Sequence, residues 1–151
     1  MATPADVQQA TLARFLAGWK NWSAAEMAQV WSDDYTQAAL PFSLGHPPRT
    51  RAQVEATLPL LQKVVTDYEL IIHNLVHDTT QGKAVVYALS KGNTPFGEWN
   101  NEYAVFFTFD ESREHIVKIE EMVDTAFMKE FFPKFQNFVR EQQQQQQQQG
   151  Q

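Results

Sequence analysis

Two stretches decide the fold of this chain, WNNEYAVFFTF at residues 99–109 and IVKIEEMVD at residues 116–124. Apolar side chains recur at alternate positions in both, which predicts two long antiparallel strands with one apolar face. If that face is interior, Glu121 is a lone carboxyl among hydrocarbon groups, with the Tyr103 hydroxyl as a neighbour. Burial disfavours a carboxylate, so we expect Glu121 to need a partner, a raised pKa or a wet cavity.

Helix signals occupy much of the chain before these strands. Thr3, Ser23 and Thr50 each stand three residues before an acid or an amide, which is the capping-box pattern of a helix start. Apolar residues at helical spacing follow each of them. Between the second and third predicted helices, residues 35–40 are typical of a short strand.

From residue 67 onward the apolar period changes to two. Residues 68–76 and 83–91 predict two further strands. A final helix begins after Asp124, with phenylalanines at spacings of four, four and three, and Pro133 is expected to interrupt it. This order predicts an α+β fold, with three N-terminal helices and a C-terminal helix packed on a curved, mainly antiparallel sheet. Such a sheet leaves a cavity against the helices, where small ligands usually bind.

The bulk properties narrow the range of partners. At 151 residues, with a hydrophobic fraction of 43%, the chain is expected to form one domain over residues 1–141, and the glutamine-rich residues 142–151 a disordered tail. The net charge of −6 argues against nucleic acid and membrane surfaces as partners. The start of the chain lacks the features of a secretory signal, so we expect a cytoplasmic protein. The absence of cysteine excludes thiolate chemistry.

Four short stretches carry a resemblance to a known family. They are LPFSLG at residues 40–45, TPFG at 94–97, NEY at 101–103 and EMVD at 121–124. Their order and spacing resemble the SnoaL-like proteins of the nuclear transport factor 2-like superfamily, in particular small fungal members. The resemblance implies a cone-shaped α+β barrel with a deep apolar pocket, often in a homodimer.

The same resemblance implies a class of chemistry. Superfamily members include cofactor-independent polyketide cyclases, dehydratases, epoxide hydrolases and ketosteroid isomerases. In catalytic members a carboxyl on the last strand commonly serves as acid or base, and Glu121 holds that position here. The resemblance therefore implies an enzyme without a cofactor, of isomerase, cyclase or dehydratase type. Its expected substrate is a small hydrophobic metabolite such as a polyketide or terpenoid intermediate.

Several side chains are candidates for the site of this chemistry. Glu121 is predicted to be the acid/base, because an acid in an apolar pocket has a raised pKa that suits proton transfer near neutral pH. Tyr103 and Tyr87 are predicted to donate hydrogen bonds to the oxygen on which charge develops. Substrate contacts are expected from five further residues: Trp99, Asn101, His73, Gln37 and Phe107.

Simpler explanations stand beside these predictions. Glu121 could face solvent, and Tyr103 could be a core aromatic with a satisfied hydroxyl. His73 and His77 lie four residues apart on a predicted strand and could share a face, but a third ligand is missing, so no metal is predicted. A second hypothesis is a non-catalytic dimeric protein that binds a small molecule in the same cavity.

Overall fold

The computed structural model describes residues 1–150, which form four α-helices and six β-strands. In chain order, the elements are α1 (Pro4–Lys20), α2 (Ala24–Ala28), β1 (Trp31–Leu40), β2 (Arg49–Thr50), α3 (Arg51–Val64), β3 (Thr66–Asp78), β4 (Lys83–Thr94), β5 (Gly97–Phe109), β6 (Ile116–Val123) and α4 (Thr125–Gln149).

The six strands form one sheet in the order β2-β1-β6-β5-β4-β3. Every neighbouring pair is antiparallel except β1 and β6, which are parallel. The predicted α+β class, with helices on a curved, mainly antiparallel sheet, is therefore confirmed. The sheet is open, because β2 and β3 at its two edges do not pair with each other.

The three predicted helix starts are confirmed by their caps. The hydroxyls of Thr3, Ser23 and Thr50 accept hydrogen bonds from the backbone N–H groups three residues later, at 3.2, 3.2 and 3.3 Å respectively. These bonds satisfy backbone donors that have no partner within the first turn of a helix. Local sequence chemistry therefore fixes where α1, α2 and α3 begin.

The first two strands differ from the prediction. β1 begins at Trp31 instead of Tyr35, because Trp31 pairs with Ile116 at the start of β6. β2 has two residues, which is too short for a period to be recognised in sequence. Both strands extend the predicted four-stranded sheet, and the parallel pairing of β1 with β6 brings the N-terminal third of the chain against the last strand.

α4 is continuous through Pro133, where the sequence predicts an interruption. Proline removes one backbone hydrogen bond, but Phe131 is buried and its ring stacks on that of Phe135 across the proline, at 6.0 Å. Residues 142–149, predicted as a disordered tail, continue the helix with exposed side chains, and Gln151 lies outside the described residues. Across residues 1–150, none of the helices has both the length and the apolarity that a bilayer crossing requires.

The inner face of β5 forms the floor of the core. All of its odd-numbered residues from 99 onward are buried, as the alternation in sequence predicts: Trp99, Asn101, Tyr103, Val105, Phe107 and Phe109. α1 packs on this face, and the ring of Phe15 meets that of Phe107 edge-on at 5.3 Å. Burial of these rings contributes to the apolar contact between α1 and the sheet.

Candidate active site

A cavity of about 160 Å³ lies between the inner face of the sheet and the surrounding helices. Aromatic and aliphatic side chains from α1, α3, α4 and β5 form most of its lining. Apart from the indole N–H groups of three tryptophans, the polar groups of the lining belong to five residues: Gln37, Arg49, Thr57, Tyr103 and Glu121. The cavity is thus apolar with a few polar groups, which is the usual composition of a small-molecule site.

Glu121 lies on the cavity side of β6. It stands opposite Val105 in the β5–β6 register, and both Val105 and Ile119, two residues earlier on β6, are 1% exposed. Burial raises the pKa of the Glu121 carboxyl above its ordinary value, and the charge of Arg49 opposes this rise. No hydrogen bond or ion pair to Glu121 is formed within residues 1–150, so its carboxyl oxygens are available to a ligand.

Arg49 is a cavity residue that the sequence does not single out. On β2 it stands opposite Gln37 of β1, so both side chains project from the same side of the sheet. Its guanidinium Nη1 donates a hydrogen bond to the Thr57 hydroxyl of α3 at 3.2 Å. Sequence reasoning misses it because Arg49 belongs to a two-residue strand next to a helix cap, where the apolar pattern carries no information.

Gln37 lines the cavity, where the sequence predicts a substrate contact. Its side-chain oxygen accepts a hydrogen bond from the Tyr35 hydroxyl at 2.7 Å, which orients the amide. The Tyr35 ring stacks on Trp31 with 4.3 Å between ring centroids. Burial raises the pKa of Tyr35, and the nearby charge of Glu121 raises it further. Tyr35 is therefore a neutral hydrogen-bond donor at the pH of most assays.

Tyr103 lies on the cavity wall with its hydroxyl already bonded. It donates to Ser90 at 2.9 Å, and Ser90 also accepts from the indole N–H of Trp99 at 2.8 Å. The Tyr68 hydroxyl lies 3.3 Å from that of Tyr103 and accepts from Trp19 at 2.7 Å. Burial raises the pKa of Tyr103, and raises that of Tyr68 to about 12. These five residues form a buried polar network that holds the Trp99 and Tyr103 rings in the cavity wall.

Two residues predicted for the site, Tyr87 and His73, lie on the face of the sheet away from the cavity. The structure therefore does not place them in the site. Tyr87 is 39% exposed and donates its hydroxyl proton to Glu102. His73 is exposed and contacts the Tyr87 ring edge-on at 5.9 Å. The inward positions of β4 are even-numbered, so Ser90 faces the core and Tyr87 faces outward.

The other two predicted substrate contacts, Asn101 and Phe107, are buried outside the cavity lining. Phe107 is 1% exposed and packs on α1. Asn101 is 4% exposed, and its side-chain oxygen has no hydrogen-bond partner within residues 1–150. Of the predicted residues, the structure therefore brings together four around the cavity: Glu121, Tyr103, Trp99 and Gln37.

His73 and His77 do not share a face. The β3–β4 register shifts between Ile72 and Asn74, so His73 lies in an irregularity of the strand. His77 lies farther along and its Nδ1 is 3.1 Å from the side-chain nitrogen of Gln8 on α1. Within the described part of the chain, no three histidine, aspartate or glutamate side chains form a group that could hold a metal ion.

The sequence is similar to those of small fungal proteins. It is 51% identical over 143 residues to monooxygenase dmxR10 of Cryptosporiopsis sp., covering 93% of this chain and 95% of that protein. It is 50% identical to monooxygenase AgnL5 of Paecilomyces divaricatus, covering 93% and 87% of the two chains. An ergochrome gene cluster protein of Claviceps purpurea is 45% identical, with 89% and 88% covered. The chain matches no protein-family model.

Solved structures with the same fold are more distant in sequence. BvnE pinacolase from Penicillium brevicompactum superposes with a TM-score of 0.81 at 19% identity, covering 91% of this chain and 95% of that one. A putative SnoaL-like polyketide cyclase from Shewanella denitrificans gives a TM-score of 0.67 at 9% identity, covering 82% and 95%. At these identities the similarity extends to the fold alone.

Proposed function

The chain belongs to the same family as these small fungal proteins and has the SnoaL-like fold, and we propose that it is a cofactor-independent enzyme that moves a proton on a small, apolar, oxygenated metabolite. One observation carries the proposal: Glu121 is the one carboxyl among the residues that line the cavity, and no group within residues 1–150 binds it. A carboxyl held in this way is suited to exchange a proton with a ligand.

The proposed reaction is an isomerisation, cyclisation or dehydration that begins with proton transfer. The ionised Glu121 carboxyl removes a proton from a carbon next to a carbonyl group, and the electron pair of the C–H bond forms an enolate. Glu121 then returns the proton to another atom of the substrate, so that an isomerisation needs no further reactant. Burial raises the pKa of Glu121, which makes its carboxylate a stronger base than that of an exposed glutamate. General acid–base catalysis of this kind typically contributes about 10²–10⁴ in rate.

The apolar lining and the relatives support a fungal secondary metabolite as the substrate. Rings of Trp19, Trp22, Trp99 and Phe131 face the cavity, and such rings favour a flat, unsaturated ligand. One relative is named as an ergochrome gene cluster protein, and a structural neighbour is named as a pinacolase. We therefore propose a polyketide or terpenoid intermediate as the substrate class, held by the same walls that exclude water.

The names of the relatives favour a second candidate reaction, which is oxygenation without a cofactor. The same enolate could react with dioxygen, and an activated CH₂ group plus O₂ would give C=O plus H₂O. This balance needs no external reductant, because the substrate carbon supplies the electrons. Both candidates require the base, and they differ in whether oxygen is consumed.

The test uses 2-tetralone, a bicyclic aromatic ketone with acidic protons next to its carbonyl group. We expect the wild-type protein to accelerate deuterium uptake from D₂O at those carbons, as followed by NMR. Glu121→Gln should lower the protein-catalysed rate by about 10²-fold or more, while Tyr87→Phe, outside the cavity, should not. Equal deuterium-exchange rates in the wild type and a folded Glu121→Gln variant would exclude Glu121 as the base. Binding of 2-tetralone without faster deuterium exchange would favour the non-catalytic hypothesis. An oxygen electrode on the same samples distinguishes oxygenation, which consumes oxygen, from proton transfer alone, which does not.

We also propose that the protein is a homodimer. Large apolar side chains are exposed on the outer face of the sheet, among them Val76, Tyr87, Phe106 and Met122. In the strand registers they fall in two neighbouring rows across β3, β4, β5 and β6. A patch of this kind on a protein surface usually marks an interaction site. Sedimentation of the wild type and of Phe106→Lys tests this proposal, with a shift to the monomer expected in the variant.

A further inference from the structure

The cavity holds one cationic side chain among its lining residues, Arg49, and one acidic side chain, Glu121. They are on strands that are two positions apart in the sheet, with β1 between them. Two strand spacings place their Cα atoms roughly 10 Å apart or more. Their charged groups do not form an ion pair within 4.0 Å in the described chain. A ligand can therefore contact both groups at once.

Most hydrogen-bond donors of the Arg49 guanidinium have no partner within residues 1–150. A guanidinium has five N–H donors in a planar fork, and one hydrogen bond, to Thr57, is formed within residues 1–150. Thr57 in turn donates to the Gln53 carbonyl of α3, at 3.0 Å. Thr57 thus holds the side chain at one nitrogen. The other N–H donors of the guanidinium remain available to a ligand at the exposed mouth of the cavity.

We propose that Arg49 binds an acidic oxygen of the substrate, and that the substrate class is a phenol or enol conjugated to an aromatic ring system. The inference rests on the proposed function, because Arg49 would bind the oxygen on which the enolate charge develops while Glu121 transfers the proton. Donors fixed where charge develops stabilise the transition state more than the ground state. Arg49 thereby takes over the role that the sequence predicted for Tyr103 and Tyr87.

The arrangement of charges favours a phenol or enol over a carboxylate or a phosphate. A permanently anionic ligand would bring a full negative charge into the same small cavity as Glu121, with one arginine to balance both. A phenol or enol can enter neutral and ionise only in the presence of Arg49. Tyr35, Tyr68 and Tyr103, the other titratable groups whose charge couples to Glu121, remain neutral because burial raises the pKa of each.

The test measures binding of 4-nitrophenol, whose phenolate and phenol differ in absorbance, so that the pKa of the bound phenol can be read directly. We expect the wild type to lower the pKa of the bound phenol and to bind the phenolate about tenfold more tightly than Arg49→Met. Arg49→Lys should retain part of this preference, since it keeps the charge but loses the planar fork. Nitrobenzene, which lacks the acidic oxygen, should bind equally to wild type and Arg49→Met.

Arg140→Met is the matched control, because it removes the same charge from an exposed position on α4. It should bind the phenolate as the wild type does. Equal phenolate binding by Arg49→Met and wild type, or no phenolate preference in the wild type, would overturn the proposal. If Arg49→Met does not fold, Arg49→Gln replaces it. Glu121→Gln should keep the phenolate preference while losing deuterium exchange, so failure of the base and failure of Arg49 give different results.

Discussion

Replacing Ser90 with alanine should destabilise the protein more than the loss of one small hydroxyl group suggests. Ser90 is fully buried and its oxygen accepts hydrogen bonds from Trp99 and Tyr103. In Ser90→Ala both donors lose their acceptor inside the core. The cost of a buried donor without a partner is about 1–3 kcal/mol, whereas a satisfied bond contributes about 1 kcal/mol net.

The two donors differ in how far they can recover. The Tyr103 hydroxyl can turn toward the Tyr68 oxygen at 3.3 Å. The Trp99 indole cannot turn, because its ring is held edge-on by Phe127 at 5.3 Å and Phe131 at 4.8 Å. We therefore expect Ser90→Ala to lower the free energy of unfolding by about 2–4 kcal/mol, and Tyr103→Phe, which removes a donor instead of an acceptor, by about 1 kcal/mol.

Urea unfolding followed by far-UV circular dichroism measures both values, provided that the slope of the transition is unchanged. The double variant Ser90→Ala/Tyr103→Phe should cost less than the sum of the single variants, because Tyr103 no longer presents an unpaired donor. Ser43→Ala, at an exposed serine, should stay within about 0.5 kcal/mol of the wild type. A smaller loss of stability in Ser90→Ala than in Tyr103→Phe would contradict the role of Ser90 as the shared acceptor.

Three other substitutions probe the cavity acid, a helix cap and the outer face of the sheet. Because burial raises the pKa of Glu121 in the folded state, its stabilising contribution is complete below the ordinary carboxyl pKa of 4.5 and is lost as the pH rises through the raised value. Glu121→Gln should therefore be more stable than the wild type near pH 7, by about 1.4 kcal/mol for each pKa unit by which burial raises the pKa of Glu121. Urea unfolding at several pH values should show that this gain disappears at acidic pH. Thr50→Ala should lower the free energy of unfolding by about 1 kcal/mol through loss of the α3 cap, and Thr50→Ser should restore it. Tyr87→Phe should leave 4-nitrophenol affinity unchanged in the binding titration, since its hydroxyl lies on the outer face; a loss of affinity would contradict that placement.

How far the site can be predicted depends on the kind of information that each residue carries. Glu121 stands out because one acid interrupts an otherwise apolar face, and period two alone identifies such a face. Tyr87 is misplaced by the sequence because the outward face of β4 carries larger apolar side chains than the inward face. Alternation shows which residues share a face without showing which face is inward. Ser90 escapes notice for the same reason, since a small polar residue on a strand has no distinguishing pattern.

The sequence is enough to predict the helix starts, the antiparallel order of β3 to β6 and the residues that share a face with Glu121. Those features depend on capping groups and on the period of neighbouring residues, which are local. The parallel pairing of β1 with β6, and the addition of β2 at the edge, emerge only in the folded protein. That pairing joins residues about eighty positions apart in sequence, beyond the reach of local periodicity, and it is what brings Gln37 and Arg49 into the cavity with Glu121.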